Sequence, residues 1–443
     1  MLSGVRSLVL VLSAVALVAC GRAGRRPAGI DMVRDAGGDG HADAEGRPDV
    51  DRRFDADGRS DADRRPDTDG GADATTNAFV HPGCLSTRAD LDRMKAKVGA
   101  AAQPWKGSWD KLVANAHAQA TYTPNPQAMI CAGSPCTPET FMTLANDAAA
   151  AYQLALRWHI SGDASFAAAA ARVLDAWAST LTAFTGDSNV DLRAGLYGSQ
   201  LACAGELLRG YAPWDPSSLQ HLLTSVFYPI NADFLQRHND ACDGNYWANW
   251  DLATMASMIA IGVFADRRDI FNQAVDYFRN GAGSGAIGNA VLYIHPDGSG
   301  QWQESGRDQG HNTLGIGLMG AFCEMAWKQG DDLYGYADNR FLTGAEYVAR
   351  YNLGNDVPYA AYNNCDNVNQ TTISATGRGD DRPIWELVYN HYVNRRGMQA
   401  PNVEAYAARV RPEGGGGDYG PNSGGYDQLG YGTLTATLDP MMP

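Results

Sequence analysis

The chain has 443 residues, 35 basic and 50 acidic side chains, and a formal net charge of −15. An acidic protein of this kind lacks the basic face that nucleic acid requires, so nucleic acid is excluded as a partner. With 44% hydrophobic residues the chain can bury a sizeable core, as one large domain or two smaller ones.

Arg6 is the only charged side chain among the first twenty residues, and Leu8 to Val18 is an apolar run of signal-peptide length. That run is shorter than the roughly 20 residues a bilayer crossing takes. It ends in Leu17-Val18-Ala19-Cys20 before Gly21, which resembles the lipobox of bacterial lipoproteins. The resemblance implies residues 1–20 as a lipoprotein signal peptide, lipidation of Cys20, export, and membrane contact only through that lipid. Gly21 after the cysteine favours the outer membrane. An ordinary secretory signal ending at Ala19 is the alternative.

Residues 21–78 form a different material. From 22 to 78 there are fourteen acidic residues and ten arginines, in units such as Asp55-Ala56-Asp57-Gly58-Arg59. So little apolar surface cannot offset the conformational entropy of folding, and the tract reads as a disordered tether. Its Asp-x-Asp-x-Gly spacings lack the Glu and flanking helices of a calcium loop, so no metal is expected. Residues 79–443, with 24 basic and 36 acidic side chains, form the globular part.

From Leu144 onward the pattern is helical. Ala149, Tyr152, Leu156 and His159 share one face of a helix over 145–160, which stops at Ser161-Gly162-Asp163. A second helix over 166–181 puts Val173, Leu174, Trp177 and Leu181 on a stripe. Further helices are predicted at 192–210, 217–237, 250–264, 267–280, 312–328, 339–353, 383–395 and 402–410, joined by short Gly-, Pro-, Asn- and Asp-rich loops. Strands can only be minor. Many amphipathic helices with short connections form antiparallel hairpins. Periodicity leaves open whether the hairpins close into a ring or stack as an array.

Two motifs are set aside. Gly283-Ser284-Gly285-Ala286-Ile287-Gly288 matches the dinucleotide fingerprint but follows a helix, where that fingerprint needs a strand. No cofactor is expected. Arg378-Gly379-Asp380 resembles an adhesion tripeptide only by coincidence. Among the cysteines, 131 and 136 bracket a short loop that suits a disulfide, whereas 203 and 323 fall in helical patterns and suit burial.

Three segments concentrate amides, carboxylates, aromatics and glycines: 239–251, 300–312 and 377–386. Each leads into a helix and belongs on a rim of the bundle. Rings that stack on sugar faces beside polar forks that read hydroxyls suit carbohydrate, although Trp and Asn at helix starts also serve packing and capping.

These segments carry a resemblance. His81-Pro82-Gly83, Asp147 to Tyr152, Asn245-Tyr246-Trp247-Ala248-Asn249-Trp250, Gln301 to His311 and Arg382 to Leu387 together resemble the alginate lyase family. The resemblance implies an all-α, (α/α) toroid fold, an incomplete barrel of antiparallel helix hairpins. It also implies β-elimination on an anionic uronate polysaccharide. In the better-known members an Asn-His pair precedes Tyr-Trp, and an Arg lies shortly before His-Asn-Tyr. Here Gly244-Asn245 precedes Tyr246, and Thr313 follows His311-Asn312, so the family's His and Tyr are missing.

The roles are therefore rebuilt from the residues present. Arg307 and Asn245 are the expected neutralisers of the substrate carboxylate, His311 the base and Tyr246 the acid. Gln200, Trp247, Asn249, Glu304 and Arg382 are expected to bind sugar. His238, His295 and His391 have no candidate beside them in the chain and read as packed histidines. Two other readings remain open at this point. One is an inverting glycoside hydrolase using Glu304 with Asp308 or Asp251. The other is a polysaccharide-binding protein without catalysis.

Overall fold

The computed structural model describes residues 78–414 and 427–439. The expected signal peptide, with Cys20, and the expected tether up to residue 77 lie outside the described residues. No described helix is long and apolar enough to cross a membrane.

Two helices precede the predicted series: α1 (Arg88–Gly99) and α2 (Trp105–Ala114). The start of α1 is a capping box, in which the Thr87 hydroxyl accepts from the Asp90 N–H and Asp90 accepts from the Thr87 N–H. That four-residue signal was legible in the sequence and was missed.

The ring follows. Helices α3 (Phe141–Ser161) and α4 (Ala164–Thr180) form a hairpin, closed by Gly162 at φ +77° and capped by Asp163. Next come α5 (Asn189–Leu208), α6 (Ser217–Leu222), α7 (Tyr228–Arg237), α8 (Ala248–Phe264), α9 (Arg268–Asn280) and the short α10 (Ile287–Ala290). Then follow α11 (Gln309–Lys328), α12 (Tyr336–Asn352), α13 (Glu386–Tyr389), α14 (Pro401–Val410) and α15 (Gly432–Thr435). Three two-stranded sheets decorate them. β1 (Met129–Ala132) pairs in parallel with β2 (Ala183–Gly186), and β3 (Val291–Ile294) pairs antiparallel with β4 (Gly300–Trp302). The third pair is β5 (Tyr362–Asn363) and β6 (Asn369–Gln370).

Composition sorts the helices into two layers. Every residue of α8 is buried, and α5 and α11 are buried over most of their length; a helix covered on all sides is an inner wall. Helix α9 is amphipathic and buries only Ile270, Phe271, Ala274, Val275 and Phe278, so it lies outside. The inner helices touch in the order α3, α5, α8, α11. Their approach depends on small residues: a Cβ on Gly195 of α5 would stand 2.8 Å from the backbone of Ala253 in α8. Residues 427–439 then return to the first helices. Trp105 Nε1 donates to Thr437 O at 3.2 Å, and the Thr433 hydroxyl donates to Glu413. This is the (α/α) toroid expected from the resemblance, and the predicted helices lie where the periodicity put them.

Asp147 to Tyr152 proves structural. Asp147 accepts from Tyr122 Oη, Asn125 N and Trp177 Nε1, all within 2.7 Å. Cys131 and Cys136 are disulfide-linked as expected, and Cys84, Cys203 and Cys323 are buried thiols.

Candidate active site

Alternating inner and outer helices make the inner ones parallel, so the N-termini of α5, α8 and α11 gather at one rim. The three segments singled out in the sequence meet there. Gln303 Oε1 accepts from Ala248 N at 3.1 Å, joining the second segment to the first. Gln309 N donates to Thr376 O at 2.8 Å, joining the second to the chain entering the third. The disulfide Cys242–Cys365 and the Asn364 Nδ2 bond to Gly244 O hold the first segment against the β5–β6 hairpin.

The start of α11 carries the most developed chemistry. Asp308 is its N-cap in extended backbone, and Oδ1 accepts from the His311 N–H at 2.8 Å. The other oxygen, Oδ2, lies 2.6 Å from His311 Nδ1. An ionised carboxylate only accepts, so Nδ1 carries the proton and the Nε2 lone pair is left for other partners. Burial opposes the charge on Asp308. The His311 side chain and backbone, together with the Arg307 charge, nevertheless hold its carboxyl below the usual range. The imidazole remains 24% exposed. Arg307 lies beside it, 3.1 Å from Glu304 Oε1 and 3.8 Å from Asp308 Oδ2, with its guanidinium 4.9 Å from the Trp247 ring centre. Glu304 is fully buried. Burial raises its carboxyl pKa, against the Arg307 and His311 charges and the Asn249 backbone N–H. Thr313, which follows His311-Asn312, is buried and returns its hydroxyl to Gln309 O at 3.1 Å.

Tyr246 belongs to a second group. Its ring packs on Phe234, Trp250 and His238, and its Oη accepts from Asn239 Nδ2 at 3.0 Å. The same amide donates to Asp191 Oδ2 at 2.8 Å, on the first turn of α5, where burial pushes the carboxyl up to about 6. Asn245 is half-buried at the end of the disulfide-tied turn, with its N–H on Cys242 O. His238 corrects the sequence reading. It is packed as expected, yet titratable groups crowd it: Asp251 Oδ1 at 3.0 Å and Tyr277 Oη at 3.1 Å. The separation of thirteen positions between His238 and Asp251 hid this pair.

A third group lies deeper. Arg382 is buried and donates to Asp427 Oδ1 at 2.9 Å and Gln428 Oε1 at 3.2 Å. Burial raises the Asp427 carboxyl pKa against the charges of Arg382, Arg193 and His311. Gln200, also buried, lines the cavity beneath with Gln428 and Ile384. Of the residues expected to hold sugar, Trp247 is half-exposed, whereas Gln200, Asn249, Glu304 and Arg382 are buried. Burial keeps these four from a direct sugar contact, and Glu304 instead braces Arg307.

The remaining motifs find ordinary places. His295 is stacked on Tyr347 at 6.1 Å and His391 on Tyr334 at 3.9 Å. The Gly283–Gly288 run follows α9, and Gly285 N donates to Asp251 Oδ2 at 2.8 Å. A Cβ at Gly283 would stand 2.4 Å from both Asp251 Oδ2 and Tyr277 Oη, and one at Gly285 2.4 Å from Asp251 Cβ, so these two glycines serve close packing. Arg378 is folded onto Tyr351 O at 2.9 Å. Among the described residues no cluster could hold a metal ion. The carboxylates a hydrolase would need are committed: Glu304 is sealed, Asp308 is bound to His311, and Asp251 to His238 and Gly285.

An arginine, an amide-rich turn and a half-buried tryptophan and histidine at the rim of an (α/α) toroid define a carbohydrate-active enzyme of the polysaccharide lyase class. Residues 102–357 match the alginate lyase family model, and the chain belongs to that family. It is a polysaccharide lyase that cleaves a uronate-containing polysaccharide by β-elimination. The fold is similar to alginate lyase A1-III from Sphingomonas species A1, at 15% identity and a TM-score of 0.50 over 81% of this chain and 98% of that one. It is also similar to a histidine-to-alanine variant of A1-III complexed with tetrasaccharide. That match has 16% identity and a TM-score of 0.55, covering 84% of this chain and all of the other. No curated protein matches by sequence.

Proposed function

We propose that the elimination runs on His311, Arg307, Asn245 and Tyr246, with alginate or a related uronan as substrate. Arg307, braced by Glu304 and stacked on Trp247, pairs with the uronate carboxylate and makes the C5 proton removable. Asn245 adds a neutral donor. Nε2 of His311 takes the C5 proton, the electron pair forms the C4–C5 double bond, and the C4–O bond breaks. Tyr246 gives its proton to the departing glycosidic oxygen. The single observation carrying this reading is the 2.6 Å contact between Asp308 Oδ2 and His311 Nδ1, which fixes the tautomer a base needs. Trp247 offers a sugar-stacking face. The converging helix N-termini favour an anionic chain despite the net charge.

The test is a panel of purified uronic-acid polysaccharides, read by the ultraviolet absorbance of the unsaturated end that elimination creates. His311→Ala is expected to lose roughly 10²–10⁴-fold in turnover with an unchanged melt. Near-full activity in that variant would move the base elsewhere.

We also propose that the protein is held at the outer membrane by lipid on Cys20, with residues 21–78 as the tether. The support is the lipobox-like sequence and the composition of the tract. Cys20→Ser should abolish lipid labelling and release the protein from membranes, whereas unchanged association would refute the anchor.

A further inference from the structure

Three consecutive residues, His238, Asn239 and Asp240, hold φ values of 44°, 53° and 61° with no glycine among them. Left-handed backbone of this kind persists only where its surroundings over-determine it, and such sites cluster where geometry matters to function. Each of the three is tied down. His238 is held by Asp251 and Tyr277, with the Gly283–Gly285 loop closed behind them. Asp240 accepts from Arg237 Nη1 at 3.2 Å. Asn239 donates through one amide nitrogen to Asp191 Oδ2 at 2.8 Å and to Tyr246 Oη at 3.0 Å. The turn therefore sets one amide between a carboxylate on α5 and a phenol before α8.

We propose that Asn239 and Asp191 are positioning residues for the elimination, Asp191 fixing the Asn239 amide and that amide fixing the phenolic oxygen of Tyr246. This rests on the reading of Tyr246 as the acid. A donor on the phenolic oxygen leaves the hydroxyl proton as the group Tyr246 can present to the cleft. It also stabilises the negative charge that grows on that oxygen as the proton departs. The benefit is larger in the transition state than in the bound state, so it acts on kcat.

The experiment measures kcat, KM and melting temperature on a uronan substrate for Asn239→Gly and Asp191→Ala, each alone and combined with Tyr246→Phe. Glycine keeps the left-handed backbone while removing the amide. Each single variant is expected to lose about 3–10-fold in kcat, the worth of one neutral hydrogen bond, with KM unchanged. In the Tyr246→Phe background neither should cost anything more, because the partner oxygen is gone. An equal loss in both backgrounds would make the turn merely structural and overturn the proposal. So would a fully active Asn239→Gly beside an impaired Tyr246→Phe, and there the acid assignment survives. A fully active Tyr246→Phe removes that assignment itself, and this inference with it. Should Asp191→Ala fail to fold, Asn239→Gly alone carries the test.

Discussion

Replacing Asp308 with asparagine changes the histidine's tautomer while keeping the helix cap. Asp308 Oδ1 accepts the His311 N–H at 2.8 Å, and Oδ2 meets Nδ1 at 2.6 Å. Asparagine must keep its oxygen on the backbone N–H, since its amide nitrogen cannot accept there. The nitrogen is thus placed against the imidazole, where it donates, so Nδ1 becomes the acceptor and the proton moves to Nε2. That nitrogen can no longer take a proton from the substrate. Turnover should fall by roughly 10²–10⁴-fold, the range of general-base catalysis. Asparagine caps a helix about as well as aspartate, and the lost charge at the helix start is worth roughly 0.3–1 kcal/mol. The melting temperature should therefore drop by less than about 4 °C. The assay is initial-rate ultraviolet detection of unsaturated product beside a thermal melt, with His311→Ala and the double variant as controls. The double variant should be no worse than His311→Ala. Retention of more than half the wild-type turnover in Asp308→Asn, with the melt intact, would refute the assignment of His311 as the base.

Further outcomes are expected at three positions, Arg307, Glu413 and Gly195. Arg307→Ala should raise KM and lower kcat, because a carboxylate partner acts in both ground and transition states; Arg307→Lys should recover only part, lacking the planar fork. Removing Arg307 also leaves Glu304 buried without its cation, so the melting temperature of Arg307→Ala should fall further at pH 8 than at pH 5. Glu413 supplies a separate pH effect on stability. Burial pushes its carboxyl up to about 7, against the Ser108 and Thr433 bonds, while the unfolded chain titrates near ~4.3. The folded state holds that proton more tightly, so the contribution is complete below the unfolded value and is lost as pH rises through about 7. The total is about 4 kcal/mol. Glu413→Gln should flatten this slope in melts from pH 4 to 8, and an unchanged slope would show that another group is responsible. Gly195→Ala places a Cβ 2.8 Å from the α8 backbone, so overpacking of about 1–3 kcal/mol should exceed the helix-propensity gain of about 1 kcal/mol and lower the melting temperature.

What the sequence determined by itself was local. Helix positions followed from three- and four-residue periodicity, and the Asp163 cap, the Gly162 stop and the Cys131–Cys136 loop need only neighbours in the chain. All three cleft segments could be found because each packs its polar and aromatic residues into ten to thirteen positions. Even the Asp308–His311 pair was within reach, three residues being the spacing of an N-cap to its donor.

Tertiary structure alone decided which distant groups meet. Asn239 reaches Asp191 across 48 residues, Arg382 reaches Asp427 across 45, and Cys242 reaches Cys365 across 123. None of these has a periodic signature, because side-chain partners across a ring depend on how the inner helices are staggered. Burial was decided in the same way: Glu304, Asn249, Gln200 and Arg382 read as cleft residues in the chain and lie beneath it in the fold. A helix pattern reports which face turns inward, but only closure of the ring sets how deep each polar side chain ends and which charge faces it.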